Sequence, residues 1–204
     1  MRSFPNKSYL VLLLSIIVLL ALVCIVRPSY IYNVVRPFLL SGGGDACLQS
    51  LQMMKVDFTP LGSIGTPKCP IKNAIRVVKF NQTTPSSPII LSCPAALSLS
   101  NWIDEAGVSS FSHMGTLNCR KVRGANIQSE HSYGTAIDIA GINGISIKGN
   151  WGRDNPQGRV LSKAADIACH HFSNVITPET NSLHHDHLHF DIGFGAMCGD
   201  SRFW

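Results

Sequence analysis

The segment Leu183–Gly193 reads LHHDHLHFDIG and predicts a β-strand with two chemically different faces. Side chains of a strand alternate between its faces, so residues two positions apart share a face. From position 187 the odd positions hold His187, His189 and Asp191, and the even positions hold Leu188, Phe190 and Ile192. One face therefore suits a hydrophobic core, and the other could carry metal-binding or catalytic side chains. A short alternation of this kind also occurs on strands with one solvated face. The pattern alone therefore does not distinguish a functional site from a polar surface.

A second alternating segment, Ser129–Ile139, reads SEHSYGTAIDI and places an acidic residue among residues suited to burial. Its last two isoleucines share one face of the predicted strand, and Ala136 and Asp138 share the other. A carboxylate in such a strand costs free energy unless it is paired or bound to a metal. Gly134 permits a sharp turn of the backbone, so we expect His131 to reach back over the end of the strand.

Side by side, the two strands would offer His131, Asp138 and His189 as metal ligands. Two imidazoles and one carboxylate, with a fourth position open to water, are typical of a catalytic zinc ion, whereas structural zinc favours four ligands and cysteine. Iron or another transition metal also accepts such ligands. We favour Zn²⁺ because a hydrolytic site outside the cytoplasm needs no redox chemistry.

The remaining patterns predict an α+β domain. Helices are expected at Ala46–Met54, Cys93–Gly107 and Val160–Phe172, where apolar residues recur with helical spacing. Ile75–Phe80 is short and β-branched, which predicts a strand, and the Pro- and Gly-rich segment Phe58–Lys72 is interpreted as a loop. Helices that come early and late, with strands between and after them, favour α+β over alternating βαβ units.

Six of the seven cysteines are dispersed over the chain after residue 46. An even, dispersed set without CxxC pairs is typical of a domain stabilised by disulfides outside the cytoplasm. Reduced, buried cysteines are the alternative interpretation. Six cysteines allow 15 pairings, and the sequence does not choose among them.

The N-terminal part of the chain predicts a membrane anchor. Tyr9–Val26 is 18 residues long without a charge, about the length that a helix needs to cross a bilayer. A cleavable signal peptide is the alternative, but its apolar core is usually shorter. We therefore expect a cytoplasmic N-terminus (residues 1–8), a transmembrane helix (9–26), a linker (27–44) and a folded domain (45–204). The basic residues flanking the span are nearly balanced, and the cysteines favour a domain that lies outside the cytoplasm.

The charge balance argues against nucleic acid as a partner. From residue 40 onward the chain has 13 Lys and Arg residues against 12 Asp and Glu residues. A surface that binds phosphates would show a clustered basic excess.

The two alternating segments resemble motifs of a known group of enzymes. SEHSYGTAID is similar to the SxHxxGxAxD motif, and HLH to the HxH motif, of the LAS metallopeptidases, which include lysostaphin-type enzymes, D-alanyl-D-alanine peptidases and the hedgehog domain. The chain more closely resembles the bacterial extensin-like C-terminal domain over most of residues 45–200. LSCPAALSLSNWI (Leu91–Ile103) and GTLNCR (Gly115–Arg120) contribute to this resemblance. It implies a small antiparallel sheet that carries the zinc site, with flanking helices.

The resemblance also implies roles for individual residues. His131, Asp138 and His189 match the metal ligands, and His187 matches the residue that handles the proton of the water. Asp186 occupies the place where some members have a catalytic glutamate. Three further residues are expected to contact the substrate: His184, Arg120 (with Arg123 as an alternative for a substrate carboxylate) and Ser129, the first residue of the motif.

The implied activity is hydrolysis of an amide bond in the peptide part of peptidoglycan. Zinc would activate water and polarise the scissile carbonyl, and His187 would accept the water's proton and return one to the leaving amine. A domain that keeps zinc and binds cell wall or a protein partner without catalysis is the alternative; the sequence names no such partner. A metallo-β-lactamase is disfavoured because HLHFDI lacks the last histidine of HxHxDH, and no GxSxG motif supports a serine hydrolase.

Overall fold

The computed structural model describes residues 44–199, which form an α+β fold with two sheets. Its helices are α1 (Gly44–Met53), α2 (Cys93–Ala106) and α3 (Pro156–Ala168), with short 3₁₀ turns at Glu130–Tyr133 and Ser182–His184. Its strands are β1 (Val56–Thr66), β2 (Cys69–Phe80), β3 (Thr84–Pro85), β4 (Ile89–Ser92), β5 (Ser110–Gly115), β6 (Ala136–Ile142), β7 (Ile145–Ser146), β8 (Asn174–Ile176), β9 (Leu188–Asp191) and β10 (Met197–Cys198).

The smaller sheet has the strand order β1-β2-β4 and is antiparallel. It corrects one prediction, because most of Phe58–Lys72 belongs to a long β1–β2 hairpin and not to a loop. Strand β1 lies at the edge of the sheet and has register shifts between Pro60 and Gly62 and between Gly62 and Ile64. Edge strands and bulges tolerate the proline and glycine residues that a central strand excludes, so the local composition was misleading.

The larger sheet carries the predicted polar residues on its central strands. Its order is β10-β8-β9-β6-β5-β3, and β7 pairs with the outer part of β6. The central pairs are antiparallel, but β3 with β5 and β10 with β8 are parallel. The α+β prediction is therefore confirmed, whereas the predicted single antiparallel sheet is replaced by one antiparallel and one mixed sheet.

Helices α2 and α3 pack against the apolar face of this sheet. The Trp102 indole N–H of α2 donates to the Ala164 carbonyl of α3 at 2.8 Å, and the indole ring meets Phe190 of β9 edge-on, with centroids 5.2 Å apart. Helix α2 ends at Gly107, as predicted, with a left-handed φ of 65°. Trp102 and Phe190 are fully buried, so the apolar side of β9 is anchored in the core.

Helix α3 starts earlier and ends earlier than predicted. The Asn155 side chain accepts from the Gly158 N–H at 2.8 Å and caps the helix there, and the helix ends at Ala168. His170 and His171 lie beyond its end and contact the Glu105 carboxylate of α2 at 2.9 and 2.7 Å. These histidines lower the pKa of the Glu105 carboxyl through their hydrogen bonds.

Three disulfides confirm that the six dispersed cysteines are paired. The pairs are Cys47–Cys93, Cys69–Cys119 and Cys169–Cys198. The first joins α1 to α2, the second joins β2 to the segment after β5, and the third joins the residue after α3 to β10. Each bond connects elements that are far apart in sequence, which reduces the entropy of the unfolded chain.

Within residues 44–199 no helix is long and apolar enough to cross a membrane. The predicted anchor at residues 9–26 lies outside the described residues, as do the predicted cytoplasmic segment and all but the last residue of the predicted linker. Helix α1 begins at Gly44, next to the predicted start of the domain.

Candidate metal centre

The register of β6 and β9 places Asp138 directly opposite His189. Oδ1 of Asp138 lies 2.9 Å from Nδ1 of His189. The neighbouring pair on the other face is Ile137 and Phe190, and both side chains belong to the core. The polar and apolar faces predicted from the alternation are therefore present, and core packing on one face holds the two polar residues in register on the other.

His131 reaches the same point from the 3₁₀ turn Glu130–Tyr133. Its Nε2 lies 3.2 Å from Oδ1 of Asp138 and 3.2 Å from Nδ1 of His189. The turn ends at Gly134, which has a φ of 63° and where an added Cβ would lie 3.2 Å from the Ser92 backbone nitrogen. A left-handed residue without a side chain is required there, which is the turn that the sequence predicted.

The outer nitrogens of both imidazoles face groups that can only accept a hydrogen bond. Nε2 of His189 lies 2.9 Å from Oδ2 of Asp191, and Nδ1 of His131 makes a longer contact of 3.4 Å with the Thr116 carbonyl. In neutral imidazoles these outer nitrogens carry the proton, and the inner nitrogens present lone pairs. Outer partners of this kind are common around protein-bound metals.

The electrostatics of this cluster favour a shared positive charge. Burial lowers the pKa of His189, but hydrogen bonds to Asp138 and Asp191 outweigh burial and raise it to about 9. Burial raises the pKa of the Asp138 carboxyl, yet the hydrogen bonds from His131 and His189 hold it well below its usual range. Without a metal, a proton on His189 offsets part of the negative charge of Asp138 and Asp191, and a divalent cation could take its place.

The three ligand atoms fit a zinc ion in number, type and spacing. They belong to His131, Asp138 and His189 and lie 2.9 to 3.2 Å from one another. Ligand atoms bound tetrahedrally at about 2.0–2.1 Å from zinc lie roughly 3.3 Å apart. Only a shift of a few tenths of an ångström separates the two arrangements. Two nitrogens and one oxygen also suit iron or another transition metal.

The three atoms lie in an open cleft of about 630 Å³. Its lining combines charged and apolar side chains. The loop after β5 contributes three exposed cationic residues, Arg120, Lys121 and Arg123. Apolar side chains also line the cleft, among them those of Ile176, Leu183, Phe194 and Met197. Among residues 44–199 no carboxylate forms a salt bridge with Arg120 or Arg123, so both cations could receive an anionic ligand.

His187 lies immediately before β9 and faces the centre. Its Nε2 is 3.7 Å from Oδ1 of Asp138, while its Nδ1 is 2.9 Å from Oδ1 of Asp186. The hydrogen bond from His187 lowers the pKa of the Asp186 carboxyl. Asp186 therefore contacts the outer nitrogen of His187 and leaves Nε2 directed toward the ligand atoms.

The predicted substrate-contacting residues lie around the same cleft. The His184 ring is 5.0 Å from the His187 ring and 5.7 Å from the His189 ring, centroid to centroid. Burial, followed by repulsion from His189 and His187, lowers the pKa of His184 to about 4, so its imidazole is neutral near pH 7. Ser129 is buried and Arg120 is exposed at the rim, and both line the cleft.

Two groups that contact the outer nitrogens of the imidazoles were not given a role from the sequence. Asp191 shares the polar face of β9 with His189, so the alternation contained a signal for it. The Thr116 carbonyl had no such signal, because a backbone contact of this kind depends on how β5 and the following loop pack against the turn that carries His131.

A model of the family described as extensin-like protein C-terminus matches residues 45–199. The match covers α1 through β10 and includes every residue of the candidate centre. No curated protein and no solved structure matches the chain.

Proposed function

We propose that the chain, which belongs to the extensin-like protein C-terminus family, is a zinc-dependent peptidase that acts on the peptide part of peptidoglycan. The observation that carries this proposal is the group of three ligand atoms within 3.2 Å of one another in an open cleft, with Nε2 of His187 close by. The SxHxxGxAxD and HxH motifs, on the adjacent elements that hold these atoms, also support a relationship to the LAS metallopeptidases.

His131, Asp138 and His189 would hold the metal. A bound zinc ion supplies Lewis acidity, which lowers the pKa of water and polarises a carbonyl group. Core packing beneath β6 and β9 keeps the ligand atoms in place before any substrate arrives, so little reorganisation is needed for binding.

His187 would act as the general base and then as the general acid. Its Nε2 accepts a proton from the attacking water and delivers one to the leaving amine. Asp186 holds the Nδ1 proton of His187 and keeps the Nε2 lone pair directed toward the centre. Asp186 is thus proposed as a positioning residue, which replaces the direct role expected from its place in the motif.

The chemistry of the cleft walls supports a peptide that carries both charge and apolar groups. Peptidoglycan peptides contain free carboxylates, which Arg120 and Arg123 in the cleft lining could bind. The apolar side chains of Ile176 and Phe194 would receive a non-polar part of the peptide. His184 is neutral and would donate or accept a hydrogen bond without adding charge, and Ser129 would contact the substrate from the turn beside His131.

The proposed location is the periplasmic side of the inner membrane. The three disulfides support an oxidising compartment, and the predicted apolar span would hold the domain beside the cell wall. This location brings the cleft within reach of peptidoglycan.

Metal analysis of the purified protein tests the centre, with His131→Ala as the control. We expect about one zinc ion per wild-type chain and loss of that ion in the variant. A wild-type protein without stoichiometric zinc would exclude the proposed mechanism.

Incubation with isolated muropeptides or whole peptidoglycan then tests the activity. Wild-type protein should release peptide fragments, and His187→Ala should release none while its zinc content is unchanged. Zinc binding without any release by the wild type would favour the alternative function, a zinc-containing domain that binds cell wall or protein.

A further inference from the structure

Asp191 contacts His189 on the side opposite to the ligand atoms. Its Oδ2 accepts from Nε2 of His189 at 2.9 Å, and its side chain is only 6% exposed. The residue lies on β9, where it pairs in register with Ala136 of β6 and Asn174 of β8. A carboxylate on a central strand is fixed by the backbone of its neighbours, so its contact with His189 is not a chance surface pairing.

The other oxygen of Asp191 is fully used. Oδ1 accepts from the Asn174 side-chain amide at 2.7 Å and from the Gly193 backbone N–H at 2.7 Å. Both partners are donors, so this position must be occupied by an acceptor. Oδ2 is left for His189, and an oxygen of an ionised carboxylate can accept a hydrogen bond but cannot donate one.

The backbone of Gly193 lies close to the Asp191 carboxylate. A Cβ built on Gly193 would lie 2.7 Å from Oδ1 of Asp191 and 2.6 Å from Cδ of Glu130. A side chain at position 193 would therefore collide with two buried carboxyl groups. This close packing and the two donors at one oxygen together orient the carboxylate so that its other oxygen faces the imidazole.

We propose that Asp191 is a positioning residue that sets the tautomer of His189, holding the proton on Nε2 so that Nδ1 presents its lone pair to the metal. This inference rests on the proposed metal centre for its functional meaning, but the tautomer itself does not require bound metal. Asp191 contacts His189 through Nε2 and not through the proposed ligand atom Nδ1, so its effect on the metal would pass through the His189 ring.

The substitution Asp191→Asn tests this role directly, because it replaces one carboxylate oxygen with an amide nitrogen and keeps the shape of the side chain. The amide oxygen should remain at the Oδ1 position, where Asn174 and Gly193 donate. The amide nitrogen then faces Nε2 of His189 and donates to it. His189 would have to carry its proton on Nδ1, the atom that should bind zinc.

We expect D191N to lower zinc affinity by about 10- to 100-fold, the usual cost of losing an outer partner of a ligand. Affinity is measured by chelator competition on the purified full-length protein. Asp154→Asn is the matched control, because Asp154 is an exposed aspartate far along the chain from the centre. Its zinc affinity should equal that of the wild type.

A spectroscopic readout separates tautomer control from general structural support. Side-chain ¹⁵N spectra of His189 in the metal-free protein, recorded at a pH where its ring is neutral, should show the proton on Nε2 in the wild type and on Nδ1 in D191N. The same Nε2 tautomer in both proteins would overturn the proposal, as would unchanged zinc affinity in D191N.

A second variant covers the case in which D191N does not fold. Asn174→Ala removes one donor to Oδ1 of Asp191 and leaves the carboxylate in place, so we expect a several-fold loss of zinc affinity with the Nε2 tautomer retained. Wild-type affinity in this variant would overturn the proposal in that case. Failure of the wild type to bind zinc would instead refute the proposed function, whereas the tautomer comparison would still decide the role of Asp191.

Discussion

Asp138 and His189 face each other across β6 and β9, with Oδ1 and Nδ1 2.9 Å apart. Asp138 is the only carboxylate among the three proposed ligands, so it supplies their only negative charge. We expect Asp138→Asn to reduce zinc affinity by more than the roughly 10- to 100-fold typical of an outer partner. Chelator competition measures this loss, and the exposed Asp104→Asn serves as the control. Equal affinities in D138N and the wild type would remove Asp138 from the ligand set.

Zinc affinity should depend on pH through His189. The two neighbouring carboxylates raise the pKa of His189 to about 9, so zinc must displace a proton at any lower pH. Affinity should therefore rise about tenfold per pH unit toward pH 9 and then level off. Titrations at a series of pH values check this, and a flat profile between about pH 7 and 9 would contradict it.

A rise in pH that strengthens zinc binding should weaken the stability of the metal-free protein, again because the pKa of His189 is raised. A raised pKa means that the folded chain binds the proton more tightly than the unfolded chain, whose histidine has a pKa near 6.5. This stabilisation is complete below about pH 6.5 and is lost as the pH rises through about 9. Thermal unfolding with a chelator present should show a Tm that falls over this range, and a rising Tm would contradict the assignment.

His187 and Asp186 should differ in the size of their effects on peptide release. Removal of a general acid-base residue typically costs about 10²–10⁴-fold in rate, so we expect His187→Ala to lower kcat by that amount. Asp186→Asn should lower kcat less, because His187 remains but loses the acceptor for its Nδ1 proton. Zinc content should be normal in both variants.

His185→Ala is the matched control for this pair. His185 is adjacent in sequence, but its side chain is 65% exposed and does not line the cleft. Its kcat should be unchanged. A larger effect of His185→Ala than of His187→Ala would require a different general base.

Arg120 and Arg123 should affect substrate binding more than turnover. A hydrogen bond to a charged group contributes about 1.5–3 kcal/mol, and exposure to solvent reduces this value. We expect each alanine substitution to raise KM for a peptide with a free carboxylate about threefold to tenfold while kcat is unchanged. An amidated form of the same peptide should show no such difference, and Arg76→Ala, on the other sheet, should behave as the wild type. A fall in kcat alone would place these arginines outside substrate binding.

The Cys47–Cys93 disulfide should contribute to stability without being needed for the centre. It joins α1 to α2, with a sequence separation of 46 residues, and such bonds typically stabilise a domain by about 2–4 kcal/mol. The double substitution of both cysteines by serine should lower the free energy of unfolding by that amount and preserve zinc content. Denaturant titration measures the change, and loss of zinc from the folded variant would contradict this separation of roles.

Local patterns in the sequence were sufficient for parts of this protein that depend on a single element. The alternation in Leu183–Gly193 and Ser129–Ile139 predicted two strands with buried apolar faces, because a strand's period of two is a property of its own backbone. The helix ending at Gly107 was predicted for a similar reason. Only the residues of one element and its cap determine such features.

Tertiary structure decided the features that depend on partners distant in the chain. The hairpin β1–β2 forms in a Pro- and Gly-rich segment because its bulges and edge position are set by pairing with another strand. The three disulfide pairs depend on which elements pack together. The role of Asp191 likewise depends on Asn174 of β8, and that of Asp186 on the direction of the His187 ring. The sequence by itself determined which residue types could meet at the centre, and packing of β6, β8 and β9 against the core decided which atoms face one another, because hydrogen-bond direction is a property of the assembled sheet.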